Sequence, residues 1–263
     1  MSVTTRDVRA FKQRGERFVM LTAYDFPTAQ ILDQVGIPLI LVGDSVGNNI
    51  LGYDTTVPVT MEEMLHHTRA VARGAKNALI VGDMPFLSYQ VSVEDGIRNA
   101  GRFLKEGGAH AVKLEGPVTE LAHALVARGI PVMGHLGLTP QSVHAMGGYR
   151  VQGRTDEDAN RLMVEAEALA KAGVFAVVLE GVPSEVARRI TEASDVPTIG
   201  IGAGPRCDAQ VLVITDLLGL SAGSYPKFVK PYADLRGEIA RAVTAFRDDV
   251  VAGVFPDEEH SYH

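Results

Sequence analysis

Short runs of apolar residues recur along the chain, and each run ends in a polar residue or a glycine. They occupy residues 18–25, 39–44, 78–83, 111–115, 131–135, 176–180, 197–202 and 211–216. Continuous apolar character, without strict alternation, is typical of parallel strands that are buried on both faces. Segments with helical periodicity lie between several of the runs. This alternation predicts an α/β fold, and eight parallel strands predict a (β/α)8 TIM barrel.

Several predicted helices have recognisable ends. Thr60 and Glu63 form a capping-box pattern before the helix at 61–73, and Gly74 is placed to end it. Thr155 precedes a second long helix at 156–172, which Gly173 ends. Further helices are predicted at 27–35, 92–106, 118–128, 183–193 and 233–248. Only the segment PRCDAQ separates GIGAG from VLVITD, which leaves room for barely one helical turn before the eighth strand.

Two long glycine-rich segments, 45–60 and 136–154, show no clear periodicity. They follow the second and fifth predicted strands, so in a barrel they would cover the catalytic face. The sequence contains no repeat, low-complexity tract or linker that would mark a domain boundary. We therefore predict a single barrel domain over 1–263.

Composition narrows the possible partners. The formal net charge of −7 argues against nucleic acid, because phosphate binding needs clustered Lys and Arg. The single cysteine, Cys207, cannot form an intramolecular disulfide and suits a reducing cytoplasm. The polar N-terminus lacks the apolar core of a secretory signal, and no stretch approaches the roughly 20 apolar residues needed to cross a bilayer. We expect a soluble cytoplasmic protein that acts on small molecules.

Acidic residues stand at the ends of four predicted strands, at Asp44, Asp83, Glu115 and Glu180. In a parallel barrel these ends converge on one mouth. Crowded carboxylates repel one another unless a divalent cation, a raised pKa or a basic neighbour relieves the repulsion. Lys113, two residues before Glu115, points to the same side and can supply positive charge. A hard cation with oxygen ligands, Mg²⁺, is the natural inference.

Each of these features also has a simpler explanation. A single carboxylate at a strand end can cap a helix or accept a loop hydrogen bond, and Lys113 alone could be a lysine of the surface or of the barrel rim. His135 could bind substrate or only support its neighbours. The glycines at 200–204 resemble a phosphate-binding turn, although a tight turn of the backbone explains them as well, and we favour that explanation. We assign no role to His66, His67 or Cys207.

The chain resembles a known family through a series of motifs that run in order along nearly its whole length. The motifs are TAYDFPTA, LVGDSVG, DMPF, KLEG, GHLGLTPQSV, GGYRVQGR, VLEGVP, IGIGAG and EEHSYH. They resemble those of ketopantoate hydroxymethyltransferases, which catalyse the first committed step of pantothenate biosynthesis. The resemblance implies a barrel of the phosphoenolpyruvate/pyruvate superfamily. It also implies a homo-oligomer, commonly a decamer, with one Mg²⁺ per subunit.

The same resemblance implies an activity and the residues that carry it. The family transfers a hydroxymethyl group from 5,10-methylenetetrahydrofolate to 3-methyl-2-oxobutanoate, giving 2-dehydropantoate and tetrahydrofolate. Matched motif by motif, the metal ligands are Asp44, Asp83 and Glu115. The residues that contact the keto acid are Asp44, Ser45, Asp83 and Lys113, and the proton acceptor is Glu180. Two alternatives stay open: a lyase or mutase of the same superfamily, and a noncatalytic barrel that binds a metabolite.

Overall fold

The computed structural model describes residues 2–221 and 223–263. The chain divides into two compact units, the first extending to Val213 and the second covering Ile214–His263. All eight strands lie in the first unit. Compactness alone does not separate domains, so a single domain over 1–263 stays a prediction.

The eight strands form a closed parallel barrel, which confirms the predicted fold. Each strand pairs with the next one along the chain, and the eighth pairs with the first. The strands are β1 (Phe18–Thr22), β2 (Leu39–Val42), β3 (Leu79–Asp83), β4 (Ala111–Glu115), β5 (Val132–Gly137), β6 (Ala176–Glu180), β7 (Thr198–Ile201) and β8 (Ala209–Leu212). Every residue of β2, β3, β4 and β5 is buried, as expected for strands covered on both faces.

The eighth strand differs from the prediction at 211–216. It pairs with β1 from Ala209 to Leu212, and the residues from Ile214 onward form a short helix. The β-branched run VLVIT has strand propensity along its whole length, but the strand it pairs with ends at Thr22. The first two predicted strands are also shorter, so Asp44 lies in the turn after β2.

Helices surround the barrel in the first unit. They are α1 (Thr5–Gln13), α2 (Phe26–Gln34), α3 (Met61–Gly74), α4 (Val93–Arg102), α5 (Thr119–Val126), α6 (Val143–Met146), α7 (Asp156–Ala172) and α8 (Ser184–Ala193). The predicted capping box of α3 is present: the Thr60 side chain accepts a hydrogen bond from the backbone N–H of Glu63, and the Glu63 side chain accepts one from the backbone N–H of Thr60. A π-helical turn, Phe103–Gly107, continues α4, and the described chain between β7 and β8 forms turns without a helix.

The glycine-rich segments after β2 and β5 contain short helical turns that periodicity did not predict, Gly47–Leu51 and Pro140–Ser142, the second of which leads into α6. The helix α1 was also not predicted. Its capping box joins Thr4 to Asp7, and an aspartate in place of the usual glutamate hides that signal.

The barrel interior is filled by apolar side chains at alternate strand positions. Leu39 and Leu41 of β2 belong to this buried cluster, as does Val8 of α1. On the outer face, close packing requires a glycine in β3. A Cβ atom at Gly82 would lie 2.3 Å from the ring of Phe103, so the π-helical turn can approach the sheet only because Gly82 has no side chain.

The second unit contains α9 (Ile214–Leu217) and α10 (Leu235–Val251). The prediction of a helix at 233–248 is confirmed, with slightly different ends. Asp234 caps α10 by accepting a hydrogen bond from the backbone N–H of Gly237 at 3.0 Å. In the described ranges of both units, every helix is too short or too polar to cross a membrane.

Candidate active site

Alternation along four adjacent strands brings charged side chains to the carboxyl end of the barrel interior. In β3, Leu79 and Val81 belong to the apolar cluster and Asp83 comes next on the same side. The same spacing places Lys113 and Glu115 above Ala111 in β4, His135 above Met133 in β5, and Glu180 above Val178 in β6. The strands are parallel, so these polar ends meet at one mouth.

The six residues predicted to form the site line one cavity of about 100 Å³. They are Asp44, Ser45, Asp83, Lys113, Glu115 and Glu180. His135 and Thr56 lie in the same wall. The structure therefore brings together every residue of the predicted constellation.

Lys113 is the centre of the charge arrangement. Its Nζ lies 2.7 Å from Asp83 Oδ1 and 3.6 Å from Glu115 Oε1. Burial disfavours the ammonium form, but the charges of Asp83, Glu115 and Asp44 outweigh it and raise the pKa of Lys113. The residue is only 4% exposed, so the interpretation as a surface lysine is wrong.

Asp44 is held from two sides. Its backbone N–H donates to Asp83 Oδ2 at 3.1 Å, and its Oδ2 accepts from Gln141 Nε2 at 3.0 Å. Burial, together with the charges of Asp83 and Glu115, raises the pKa of Asp44 well above its ordinary value. Burial also raises the pKa of Asp83, and the charge of Lys113 opposes that effect. The carboxylates of Asp44, Asp83 and Glu115 therefore repel one another, and a bound cation would reduce this repulsion.

His135 lies between two carboxylates. Its Nδ1 is 3.3 Å from Glu115 Oε1 and its Nε2 is 3.3 Å from Glu180 Oε2, although neither contact has the angles of a hydrogen bond. Burial and the charge of Lys113 disfavour the imidazolium, but the two carboxylates raise the pKa of His135 to about 9. In turn, Lys113 and His135 keep the pKa of Glu115 below its ordinary value against the effect of burial. His135 thus connects the buried acids to Glu180 at the cavity mouth.

Ser45 follows Asp44 in the turn after β2. Its Oγ is 2.8 Å from the hydroxyl oxygen of Tyr24, and either group can donate. The carbonyl oxygen of Tyr24 lies 2.6 Å from Nδ1 of His67, which gives that histidine a packing role outside the cavity. A Cβ atom at Gly43 would lie 2.8 Å from Ser45 Oγ, so the turn is built around a residue without a side chain.

Sequence reasoning did not find two residues that support the site, Gln141 and Tyr89. The Gln141 side chain donates to Asp44 and to the carbonyl oxygen of Met84, and its backbone N–H donates to Glu115 Oε2 at 3.0 Å. The Tyr89 hydroxyl donates to Gln141 Oε1 at 2.8 Å. Gln141 lies within the quoted motif GHLGLTPQSV, but an uncharged side chain in an aperiodic segment gave no independent signal.

The glycine segment after β7 behaves as a turn. Gly202 and Gly204 have positive φ angles of 61° and 77°, which residues with a side chain rarely adopt. Cys207 is buried, and burial raises the pKa of its thiol. Among the described residues, neither these two glycines nor Cys207 lines the acidic cavity. These observations agree with the simpler explanation of the motif.

The residues present suit a divalent cation. Asp44, Asp83 and Glu115 are hard oxygen donors around one cavity, and Glu115 Oε1 is buried without a hydrogen bond. Within residues 2–221 and 223–263, no three His, Cys, Asp or Glu side chains are grouped tightly enough to hold a metal by themselves. Mg²⁺ commonly uses one or two carboxylates together with water and substrate oxygens. Asp44 and Asp83 can serve in that way.

The fold and the cavity define the chain as a parallel (β/α)8 barrel with an acidic site at the carboxyl ends of its strands. Its structure is similar to 2,3-dimethylmalate lyase, a PEP mutase/isocitrate lyase superfamily member, with a TM-score of 0.61, 16% identity and coverage of 99% of this chain and 92% of that chain. It is also similar to phosphonopyruvate hydrolase in complex with oxalate and Mg²⁺, with a TM-score of 0.63, 12% identity and coverage of 98% and 93%. These likenesses agree with the predicted (β/α)8 fold.

Sequence comparison identifies the family within this class. The family model for ketopantoate hydroxymethyltransferase matches residues 2–258. A relative named 3-methyl-2-oxobutanoate hydroxymethyltransferase, from Moorella thermoacetica, is 58% identical over 262 residues, covering 99% of this chain and 97% of the relative. The chain belongs to the ketopantoate hydroxymethyltransferase family, so the prediction of a hydroxymethyltransferase enzyme is confirmed at the level of the family.

Proposed function

We propose that the protein transfers a hydroxymethyl group from 5,10-methylenetetrahydrofolate to 3-methyl-2-oxobutanoate, giving 2-dehydropantoate and tetrahydrofolate in pantothenate biosynthesis. The observation that carries the proposal is the buried set of Asp44, Asp83 and Glu115 around Lys113, with Glu180 at the mouth of the same cavity. This arrangement suits an anionic keto acid and a divalent cation. Family membership supplies the substrates.

The first chemical step is loss of the proton from C3 of the keto acid. Glu180 is the proposed base, because its side chain is 19% exposed and can release the proton to solvent. His135, 3.3 Å away, orients the Glu180 carboxylate. Lys113 and Ser45 bind the keto acid, and Lys113 offsets the negative charge of the wall. The proton moves to Glu180 while the electron pair of the C–H bond becomes the enolate.

The proposal includes Mg²⁺ as the cofactor. Asp44 and Asp83 would hold one Mg²⁺ per subunit, with Glu115 completing the metal site. When bound, the cation supplies a Lewis acid that stabilises negative charge on the keto oxygen. A structural neighbour, phosphonopyruvate hydrolase, was crystallised with Mg²⁺ and oxalate, a small dianion related in shape to an enolate. Water cleaves the two C–N bonds of the folate methylene carbon, which releases tetrahydrofolate and a one-carbon unit at the oxidation level of formaldehyde. C3 of the enolate attacks this carbon, and the resulting alkoxide takes up the proton held by Glu180 to give the hydroxyl of 2-dehydropantoate.

Proton NMR of 3-methyl-2-oxobutanoate in D2O tests the proposal. We expect the C3 proton signal to disappear when enzyme and Mg²⁺ are present but not with a chelator, and 2-dehydropantoate to form once methylenetetrahydrofolate is added. Exchange without product would instead support a lyase or mutase of the superfamily. Binding of Mg²⁺ and keto acid with neither exchange nor product would support a noncatalytic barrel.

Two variants separate the proposed roles. Asp83→Ala should lose tight Mg²⁺ binding and activity together, because it removes a buried oxygen ligand. Glu180→Gln should keep its Mg²⁺ affinity in calorimetric titration and slow the C3 proton exchange. Full metal affinity in the Asp83 variant would exclude Asp83 as a ligand, and exchange at the wild-type rate would exclude Glu180 as the base.

Other expectations stay predictions. The homo-oligomer, commonly a decamer in the family, is to be tested by the mass of the protein in solution. A cytoplasmic location suits the single cysteine and is to be tested by cell fractionation.

A further inference from the structure

Thr56 presents an unpaired hydroxyl at the active-site cavity. The residue lies between β2 and α3, lines the cavity and is only 3% exposed. Its Oγ1 is buried and has no hydrogen-bond partner among the described residues. Leaving a buried hydroxyl unpaired costs folding free energy, so a partner from a bound ligand would recover a loss that the free protein carries.

The backbone holds Thr56 firmly in this position. Its carbonyl oxygen accepts a hydrogen bond from the N–H of Val59 at 3.1 Å. Val59 packs against Gly47, where a Cβ atom would lie 2.6 Å from the Val59 side chain. Tyr53, at the other side of the segment, donates its hydroxyl to Glu63 Oε1 at 2.5 Å. Because the segment is fixed at both sides, the position of the hydroxyl is a property of the fold.

The charges around the cavity restrict what this hydroxyl can bind. Four carboxylates line the wall, and Lys113 is already paired with Asp83. A substrate carboxylate placed there needs further donors that are not themselves acidic. Ser45 lines the same cavity, and when Tyr24 donates to Ser45 Oγ, the Ser45 hydrogen is free for a ligand. Thr56 and Ser45 therefore offer two uncharged donors from the same connection between β2 and α3.

We infer that Thr56, together with Ser45, binds the carboxylate of the keto acid; this assignment rests on the proposed function. The Thr56 hydroxyl donates to one carboxylate oxygen and gains the partner it lacks in the free protein. Thr56→Val keeps the size of the side chain and removes the donor. Thr56→Ser keeps the donor and serves as the matched control.

Calorimetric titration with 3-methyl-2-oxobutanoate in the presence of MgCl2 tests the assignment. We expect Thr56→Val to bind the keto acid about 10- to 100-fold more weakly, as for loss of one hydrogen bond to a charged group, and Thr56→Ser to bind within about threefold of wild type. Unchanged affinity in Thr56→Val would overturn the assignment. Weaker binding of methylenetetrahydrofolate with unchanged affinity for the keto acid would also overturn the assignment, because the Thr56 hydroxyl would then face the folate.

Thermal unfolding without ligand provides a second readout. Thr56→Val should melt no lower than wild type, since its hydroxyl has no partner to lose. Thr191→Val is the comparison, because the buried Thr191 hydroxyl contacts Ala187 and Thr198, and its loss should lower the melting temperature. A similar decrease in Thr56→Val would overturn the inference. Wild-type protein that binds no keto acid would overturn the proposed function and this assignment together, whereas loss of the Thr56 effect alone leaves the proposed function standing.

Discussion

Replacement of Lys113 by methionine tests the electrostatics of the cavity. The change keeps a long side chain and removes the charge that faces Asp83 at 2.7 Å and Glu115 at 3.6 Å. At an effective dielectric constant of 20, these attractions amount to about 6 and about 5 kcal/mol. Relief from burying the ammonium offsets part of that loss. Removing one partner of a buried ion pair usually costs about 3–5 kcal/mol of the free energy of unfolding, and we expect Lys113→Met to lie in that range.

Thermal unfolding at neutral pH is the assay. For a chain of this size a loss of 3–5 kcal/mol corresponds to a decrease of roughly 6–10 °C in Tm. Lys171→Met is the matched control, because its ion pair with Glu167 is on the surface and its loss should leave Tm close to wild type. If the cation binds the same carboxylates, Mg²⁺ at about 100 times its Kd should restore roughly 2.7 kcal/mol. If the Tm of Lys113→Met equals that of wild type, this account of charge compensation is refuted.

Two further predictions concern packing and support of the site. Gly82→Ala should lower the free energy of unfolding by about 1–3 kcal/mol in urea titration, because its Cβ meets the Phe103 ring, whereas Gly101→Ala, with open space around it, should be neutral or stabilising. Equal effects at the two glycines would contradict the packing argument. Gln141→Leu should weaken Mg²⁺ binding measured by calorimetry, because Asp44 loses its side-chain donor and its orientation. Unchanged metal affinity would show that Asp44 is held without it.

The acidic constellation was predictable because it depends on two local regularities. Strand residues alternate between faces, and parallel strands in a barrel end on the same side. These rules were enough to bring Asp83, Glu115 and Glu180 to one mouth and to place Lys113 beside them. Gln141 and Thr56 follow no such rule. Each lies in an aperiodic segment whose path depends on turns and packing, so its approach to the cavity is visible only in three dimensions.

The sequence by itself determined the order of the eight strands and of the longer helices that lie between most of them. It also determined the parallel barrel and the identity of the charged residues at the strand ends, because apolar periodicity and chain direction are local properties. Tertiary structure alone decided where β8 begins, since pairing with β1 selects Ala209–Leu212 over the β-branched residues that follow. It also decided the direction in which the pKa values of the cavity residues shift. The raised pKa of Asp44 arises from burial and from the charges of Asp83 and Glu115. The raised pKa of His135 arises from its two carboxylate neighbours against the effect of burial, and only folding brings these groups together.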